Sequence, residues 1–197
     1  MTIVLASASP ARRALLAAAG VRFTVHPAAI DERAVEVPLI AGGASAADVA
    51  AALAEAKAVA VSRGEGDAFV IGADQTLDLD GTRWTKPANM AEAREQLARL
   101  SGREHRLHSA VAVARAGRVQ WLHAESASLT MRALSATAVD SYLTEAGDAV
   151  LDSVGAYQIE GIGIRLFERI DGDYFAILGL PLLPLLAYLR GEGEIAW

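Results

Sequence analysis

Serine and arginine side chains cluster just after the first apolar run of the sequence. Ser7 and Ser9 shortly precede Arg12 and Arg13, and Pro10 stands between the two pairs. Ser9 has the residue type of a helix N-cap, and proline is favoured at the first helical position. The pattern therefore places two hydroxyls, free backbone N–H groups and two guanidiniums within one turn, as an anion site needs. An N-capped surface helix with two solvated arginines explains the same residues equally well.

Acidic side chains at two places are candidates for a metal ligand or a general base. Asp31 and Glu32 follow a predicted strand in a predicted loop. Hard cations such as Mg²⁺ prefer carboxylate oxygen, although adjacent acids in a loop are more often simply solvated. Asp74 directly follows the apolar run from Phe69 to Ala73, so the pattern places it at the carboxyl end of a buried strand. Open α/β sheets bind ligands at that end, which favours a functional role for Asp74.

Other titratable residues give weaker signals. Lys57 lies in a predicted helix and Lys86 in a predicted loop, and most lysines are solvated. His105 and His108 fall in a predicted strand, where alternation points them to opposite faces and argues against a zinc pair. The sequence has no Walker loop, no nucleophile elbow and no dinucleotide fingerprint. Residue types and spacing alone therefore indicate an anion-binding α/β domain.

The elements that must position these residues alternate between strands and helices in the first half of the chain. Helices are predicted to begin at three polar caps, Ser9, Ser45 and Asn89, and a further helix is predicted over 135–145. Hairpins are predicted around three turns, Asp80-Gly81, Ala116-Gly117 and Asp171-Gly172, the last joining strands at 162–170 and 174–178, and a final helix is predicted from 181 to 189. This mixture predicts an α/β fold with a mixed sheet, flanking helices and two lobes around a cleft.

Composition narrows the class of protein. The chain has 197 residues, of which 53% are hydrophobic and 21% charged, a net charge of −6 and no cysteine. An acidic chain argues against a broad nucleic-acid surface, and no apolar run approaches the roughly 20 residues of a membrane span. The lack of cysteine excludes disulfides, thiolate metal sites and a cysteine nucleophile. We expect one domain over residues 1–197, cytoplasmic, with no membrane or nucleic-acid partner.

Several short motifs, in order along nearly the whole chain, resemble the Maf family. They are Leu5–Pro10 with Arg12-Arg13, Asp31-Glu32, Leu53–Ala58, Ile71–Gln75, Lys86-Pro87, Leu100–Arg103, Gly155–Tyr157, Gly172–Tyr174 and Leu178–Leu182. The resemblance implies a Maf/ITPase-like fold and a homodimer. It also implies a nucleoside triphosphate pyrophosphatase that cleaves between the α and β phosphates with a divalent metal, Mg²⁺ or alternatively Mn²⁺ or Co²⁺.

The resemblance also implies roles for particular residues. Asp74 is implied as the general base and Glu32 as a metal ligand, although these two roles are partly exchangeable. The residues implied to hold the triphosphate are Ser7, Arg12, Arg13, Lys57 and Lys86. Phosphoryl transfer depends on neutralising charge and orienting the nucleophile, so four cations suit a triphosphate.

Three positions bear on the substrate base. Gln75 and Glu160 resemble the branch of the family that acts on 7-methyl-GTP, a house-cleaning activity against modified nucleotides. The acceptor-only Glu160 suits the two donors on the pairing edge of guanine. Ala11 stands where that branch often has tryptophan, which weakens stacking on a cationic base. The alternatives are a dTTP/UTP pyrophosphatase, a phosphatase that releases orthophosphate, and a non-catalytic nucleotide-binding regulator of cell division.

Overall fold

The structure is a computed structural model that describes residues 2–197. Its strands are β1 (Ile3–Leu5), β2 (Thr24–Val25), β3 (Phe69–Leu79), β4 (Thr82–Trp84), β5 (Glu104–Arg115), β6 (Arg118–Met131) and β7 (Phe167–Asp171). Its α-helices are α1 (Pro10–Ala18), α2 (Glu32–Ala41), α3 (Ala46–Ser62), α4 (Met90–Leu100), α5 (Ala136–Ala146), α6 (Tyr174–Ile177) and α7 (Leu182–Gly191). Two 3-10 segments cover Gly147–Asp152 and Ile162–Leu166.

The strands form a mixed sheet in the order β2-β1-β3-β5-β6-β7, with β4 paired to β3. β1 pairs in parallel with β2 and β3, whereas β4 and β7 pair antiparallel to β3 and β6. The predicted α/β class with a mixed sheet and flanking helices is confirmed. No helix among residues 2–197 is long and apolar enough to span a membrane.

The chain divides into two compact units. The first unit comprises residues 2–75, 108–126 and 173–197, and the second comprises residues 76–107 and 127–172. The core of the first unit is apolar and includes Leu5, Ile71, Val111 and Leu185. The predicted cleft between two lobes stays a prediction.

Alternation along β3 gives its two faces different partners. Phe69 and Ile71 face the core that contains α1 and α7, whereas Val70 faces the other side of the sheet. The opposite side is covered by α3, whose alanines pack against alternate alanines of β5. Asp74 continues the Val70 face, and Gln75 continues the Ile71 face. Two adjacent residues of the candidate site are thus directed to different layers.

The sequence predicts helix starts well because caps act locally. Ser9, Ser45, Asn89 and Ser135 each accept a hydrogen bond from the backbone N–H three residues on, and Ser45 forms the full capping box with Asp48. The predicted turn at Asp80-Gly81 is present, with φ of 52° and 77° at its two residues. The turn between β5 and β6 is also where the sequence places it.

Three sequence predictions about the elements are wrong. Asp31 does not lie in a plain loop, because it is the N-cap of α2 and accepts from the Ala34 N–H at 3.2 Å. The segment after Gly172 is the short helix α6, not a strand, because Asp173 caps it by accepting from the Ala176 N–H at 2.8 Å. Residues 162–166 form 3-10 turns, so only Phe167–Asp171 is a strand.

A fourth difference concerns Asp74 itself. β3 continues to Leu79, so Asp74 lies inside the strand and not at its end. The parallel ladder with β1 reaches only Ile71, however, and the antiparallel ladder with β4 begins at Leu77. Asp74 therefore lies just beyond the carboxyl end of the parallel part, where β1 has already turned away into the loop before α1.

Candidate active site

The hydroxyls of Ser7 and Ser9 hold the loop after β1 through hydrogen bonds. The Ser7 hydroxyl accepts hydrogen bonds from the Ser9 N–H at 3.3 Å and from the Arg12 guanidinium at 3.2 Å. The Ser9 hydroxyl accepts from the Arg12 N–H at 3.4 Å and thereby caps α1. The predicted hydroxyls and one predicted guanidinium are brought together, and they already bond to each other.

Arg12 also connects three parts of the first unit. Its Nε donates to the Gly179 carbonyl at 2.8 Å, and its Nη1 donates to the Ala73 carbonyl at 2.9 Å. Gly179 has a φ of +92°, a backbone conformation that residues with side chains rarely adopt, so glycine suits this position. Burial lowers the pKa of Arg12, while the charges of Asp74 and Glu32 oppose this shift. Arg12 remains a cation held next to Asp74.

The centre of the site is a lysine between two carboxylates. The Lys57 Nζ lies 2.6 Å from Asp74 Oδ1 and 2.8 Å from Glu32 Oε1. The side chains of Lys57 and Asp74 are each 12% exposed, and that of Glu32 is 51% exposed. Three residues with separately predicted roles therefore meet at one ammonium group.

Glycine at position 72 allows this meeting. A Cβ added at Gly72 would lie 2.2 Å from the Ala54 carbonyl oxygen and 2.6 Å from the Ala58 nitrogen, both in α3. No real contact is that short, so α3 lies against β3 only because residue 72 has no side chain. Since Gly72 and Asp74 share a face of β3, the close approach brings Lys57 within reach of Asp74.

Burial makes Asp74 a stronger base than an exposed carboxylate. Loss of solvation raises its pKa above the ordinary value, the charges of Lys57 and Arg12 oppose the rise, and Glu32 adds to it. A carboxylate with a raised pKa, poised beside cations, has the properties of a general base.

Gln75 forms hydrogen bonds on the opposite face of β3 from Asp74. Its Nε2 lies 2.9 Å from the Ser109 hydroxyl, 2.9 Å from the Ile177 carbonyl and 3.2 Å from the Ala176 carbonyl. Ser109 is buried and donates to the Ala176 carbonyl at 2.6 Å. Gln75 therefore ties α6 to the sheet next to the catalytic candidate, and its predicted role in base specificity stays a prediction.

The remaining predicted residues lie elsewhere on α1 or in the second unit. Ala11 is half-buried at the start of α1, and Arg13 is exposed on the same helix. Lys86 and Glu160 belong to the second unit, where both are exposed, Lys86 between β4 and α4 and Glu160 before the second 3-10 segment. Their roles stay predictions.

Sequence reasoning missed Ser109 and the carbonyl groups of Ala73 and Gly179. No sequence motif marks a single buried serine in a strand as functional. Every residue has a backbone carbonyl, so the sequence does not indicate which carbonyls Arg12 binds. Gly179 did belong to the run Leu178–Leu182 that carries the family resemblance, so a signal for that segment was present.

His105 and His108 each pair with a hydroxyl group in the structure. His108 pairs with the Ser126 hydroxyl at 2.7 Å, and His105 pairs with the Tyr157 hydroxyl at 2.7 Å. Within residues 2–197, no three or more His, Cys, Asp or Glu side chains converge on one point. Glu32 and Asp74 are the carboxylates that do converge, and magnesium sites commonly use only one or two carboxylates together with substrate phosphates. The donor set of this site therefore fits a divalent metal that arrives with a phosphate ligand.

Comparison with known proteins identifies the family. The family model for Maf-like proteins matches residues 2–192, and the chain belongs to the Maf family. It is 57% identical over 193 residues to a 7-methyl-GTP pyrophosphatase of Rhizobium meliloti, covering 98% of this chain and 97% of that relative. It is 56% identical over 190 residues to a 7-methyl-GTP pyrophosphatase of Brucella abortus, covering 96% of each chain.

Two further similarities are broader. The chain is 54% identical over 190 residues to a nucleoside triphosphate pyrophosphatase of Nitrobacter winogradskyi, covering 96% of this chain and 93% of that relative. A solved structure of a nucleoside-triphosphatase, a dITP/XTP pyrophosphatase of Mycobacterium abscessus, is 18% identical with a TM-score of 0.46, covering 98% of this chain and 95% of that one.

Proposed function

We propose that this protein is a nucleoside triphosphate pyrophosphatase that releases a nucleoside monophosphate and pyrophosphate. The main support for this proposal is the buried cluster in which Lys57 and Arg12 lie beside the carboxylate of Asp74. Family membership and the printed names of the relatives support the same reaction class. An acid-anhydride hydrolase needs cations for the phosphates and one base for the water, and this cluster contains both.

In the proposed reaction Asp74 accepts a proton from a water molecule. The water oxygen bonds to the α-phosphorus, the bond from that phosphorus to the oxygen bridging to the β-phosphate breaks, and pyrophosphate leaves with the electron pair. Ser7, Arg12, Arg13, Lys57 and Lys86 are the proposed phosphate ligands. The cations stabilise the charge that spreads over the phosphate oxygens in the transition state.

A divalent metal, proposed as Mg²⁺, would be held by Glu32 and Asp74. When bound, it supplies positive charge to the phosphate oxygens. Asp74 and Glu32 are partly exchangeable as base and metal ligand, because both carboxylates reach one point in the site. Mn²⁺ and Co²⁺ have the same preference for a mixed set of carboxylate, phosphate and water ligands.

The proposed substrate is 7-methyl-GTP. Relatives with this name support the proposal, and Glu160 is acceptor-only, as recognition of the two donors of guanine requires. The second candidate is a broader nucleoside triphosphate pyrophosphatase. Two observations favour it: the name of the Nitrobacter winogradskyi relative and Ala11, which offers no aromatic surface for stacking.

A single functional domain over residues 1–197, a homodimer and a cytoplasmic location stay predictions. The match of one family model to residues 2–192 supports the single domain, since that range includes residues of both units.

The test is identification of products from a panel of triphosphates with purified protein and Mg²⁺. Phosphorus NMR distinguishes monophosphate plus pyrophosphate, which we expect, from diphosphate plus orthophosphate, which a phosphatase gives. Asp74→Asn is the matched control for contaminating activity, because it removes the base with little change in shape. Orthophosphate as the first product, or binding without any product, contradicts the proposed function.

A further inference from the structure

The lysine of the site stands where a metal ion is expected. One ammonium group, Lys57 Nζ, lies within 2.8 Å of an oxygen of each of the two carboxylates, Asp74 and Glu32. These two carboxylates are also the proposed metal ligands. The acidic pair therefore already has a cation of the chain itself within hydrogen-bond distance.

A lysine ammonium and a divalent metal compete for these carboxylate oxygens. A magnesium ion binds carboxylate oxygen at about 2.1 Å, so an ion on Asp74 Oδ1 would lie within a few ångströms of Lys57 Nζ. Two cations at such a distance repel each other strongly where water is largely excluded. Arg12 adds further positive charge, since it acts electrostatically on both carboxylates.

The backbone of Lys57 has little freedom to move away. Lys57 lies in the long helix α3, which is fixed to the sheet through Ala54 and Ala58 at Gly72. Only the flexible side chain of the lysine can leave the carboxylates, and it needs another anion as a partner because it is largely buried. A triphosphate supplies such an anion.

We propose that Lys57 occupies the cation position of the Asp74–Glu32 pair until nucleotide binds, so that the metal enters as the metal–triphosphate complex and not as the free ion. This inference rests on the proposed function, because it assumes that the site binds phosphates. The phosphates would then pair with the ammonium of Lys57, and the metal bound to them would bind to the carboxylates of Asp74 and Glu32. The substrate of the site is then the metal-chelated nucleotide.

The first test measures binding of Mn²⁺ alone, without nucleotide, from the loss of the free-ion signal in electron paramagnetic resonance. Lys57→Met removes the competing cation, and we expect it to tighten Mn²⁺ binding by about tenfold or more relative to wild type. Glu32→Gln combined with Lys57→Met is expected to lose that gain. Arg22→Met is the matched control, since Arg22 is an exposed cation outside the proposed site, and we expect its Mn²⁺ affinity to stay within about twofold of wild type.

Equal Mn²⁺ affinity in Lys57→Met and wild type overturns the proposal, and so does an equal gain in Arg22→Met. Far-ultraviolet circular dichroism checks that the variants fold. If Lys57→Met does not fold, the wild-type protein decides the question by nitrogen NMR of labelled lysine. The sequence has two lysines, Lys57 and Lys86, so the Lys86→Met spectrum assigns the Lys57 signal.

We expect Mg²⁺ alone at millimolar concentration to leave the Lys57 signal in place, and magnesium tripolyphosphate to move it. Displacement by Mg²⁺ alone, or no movement with magnesium tripolyphosphate, overturns the proposal. The Mn²⁺ and Mg²⁺ measurements contain no nucleotide and do not depend on turnover. If the protein releases no pyrophosphate but Lys57 competes with the metal, only the proposed function is refuted. If it releases pyrophosphate but Lys57 does not compete with the metal, only this inference is refuted.

Discussion

In the first unit Asp74 and Lys57 are buried as charges, whereas in the second unit His105 and Tyr157 are buried as neutral groups. Asp74 has two cations beside it that oppose the effect of burial on its pKa. Among residues 2–197 no charge opposes the burial of His105, which lowers its pKa to about 4. Burial raises the pKa of Tyr157, because it disfavours the charged form of this side chain too. Both pairs use hydrogen bonds between 2.6 and 2.7 Å, so the difference lies in charge and not in geometry.

The contrast indicates what each pair is for. A buried charge is costly, and it persists only where other charges and hydrogen bonds compensate it. The neutral pair packs against Phe167, with ring centroids 5.9 Å from His105 and 4.8 Å from Tyr157, as a core cluster does. We infer that the charged cluster is retained for chemistry and the neutral cluster for packing. The following predictions test that division, from the largest expected effect to the smallest.

Asp74→Asn is expected to lower turnover by about 10²-fold or more, because a general base contributes roughly 10²–10⁴-fold. Steady-state kinetics with the preferred triphosphate measures the change, and nucleotide binding should remain measurable. Asp67→Asn is the matched control, since the Asp67 side chain is 82% exposed. Turnover of Asp74→Asn close to wild type would mean that the charged cluster does not supply the base.

Stability should depend on pH through His105. In the unfolded chain His105 takes up a proton at its ordinary pKa of about 6.5. In the folded protein the pKa of His105 is about 4. The stabilisation is therefore fully present above pH 6.5 and is lost as the pH falls towards 4, by about 3 kcal/mol at most.

Denaturant unfolding of wild type and His105→Gln between pH 7 and pH 4 isolates this contribution. The partners facing His105 are Tyr157, which stays protonated in this range, and the apolar Phe167. The difference in free energy of unfolding between the two proteins should change across this range. A difference that does not vary with pH would show that His105 is not buried in its neutral form.

Replacing a single phosphate-binding cation should cost transition-state stabilisation of about 1.5–3 kcal/mol, the usual scale of charge-assisted hydrogen bonds. The variants are Arg12→Ala, Lys57→Ala and Lys86→Ala, with exposed Arg22→Ala as control. The measure is kcat/KM. Unchanged values for all three would move the active site elsewhere, and an unchanged value for Lys86→Ala alone would restrict phosphate binding to the first unit.

Gly72→Ala tests the packing that brings the charges together. Its Cβ would overlap the backbone of α3, and overpacking of this kind costs about 1–3 kcal/mol in free energy of unfolding. Displacement of α3 should also lower turnover, since Lys57 moves with the helix. Gly191→Ala, where a Cβ meets open space, is the control and should change neither quantity. A stable, fully active Gly72→Ala protein would contradict the need for the close approach.

The smallest effect is expected for Glu160→Gln in the second unit. An amide offers a donor to the base edge, so the preference for 7-methyl-GTP and GTP over UTP should narrow. The ratios of kcat/KM for the three nucleotides measure it, with turnover on the best substrate largely kept. A wild-type preference for UTP or dTTP would refute the base assignment and leave the pyrophosphatase assignment intact.

The residues themselves determine much of the local structure and the identity of the site. Ser9 and Pro10 start α1 because capping acts within one turn, and Gly81 closes the hairpin after β3 because its left-handed conformation suits glycine. The cationic segment, Asp74 and the order of the motifs are likewise readable from the sequence. Helix α2 was missed because its apolar pattern is weak and it contains Pro38.

Only the tertiary structure decides which of these side chains meet. Lys57 and Asp74 are 17 residues apart, and no local rule joins a helix residue to a strand residue over that distance. Their contact follows from the bare backbone of Gly72, which allows α3 to lie directly on β3. The same holds for Arg12, whose partners are carbonyl groups 61 and 167 residues away. Carbonyls have no sequence signature, so packing alone selects them, and packing converts separate charges into one site.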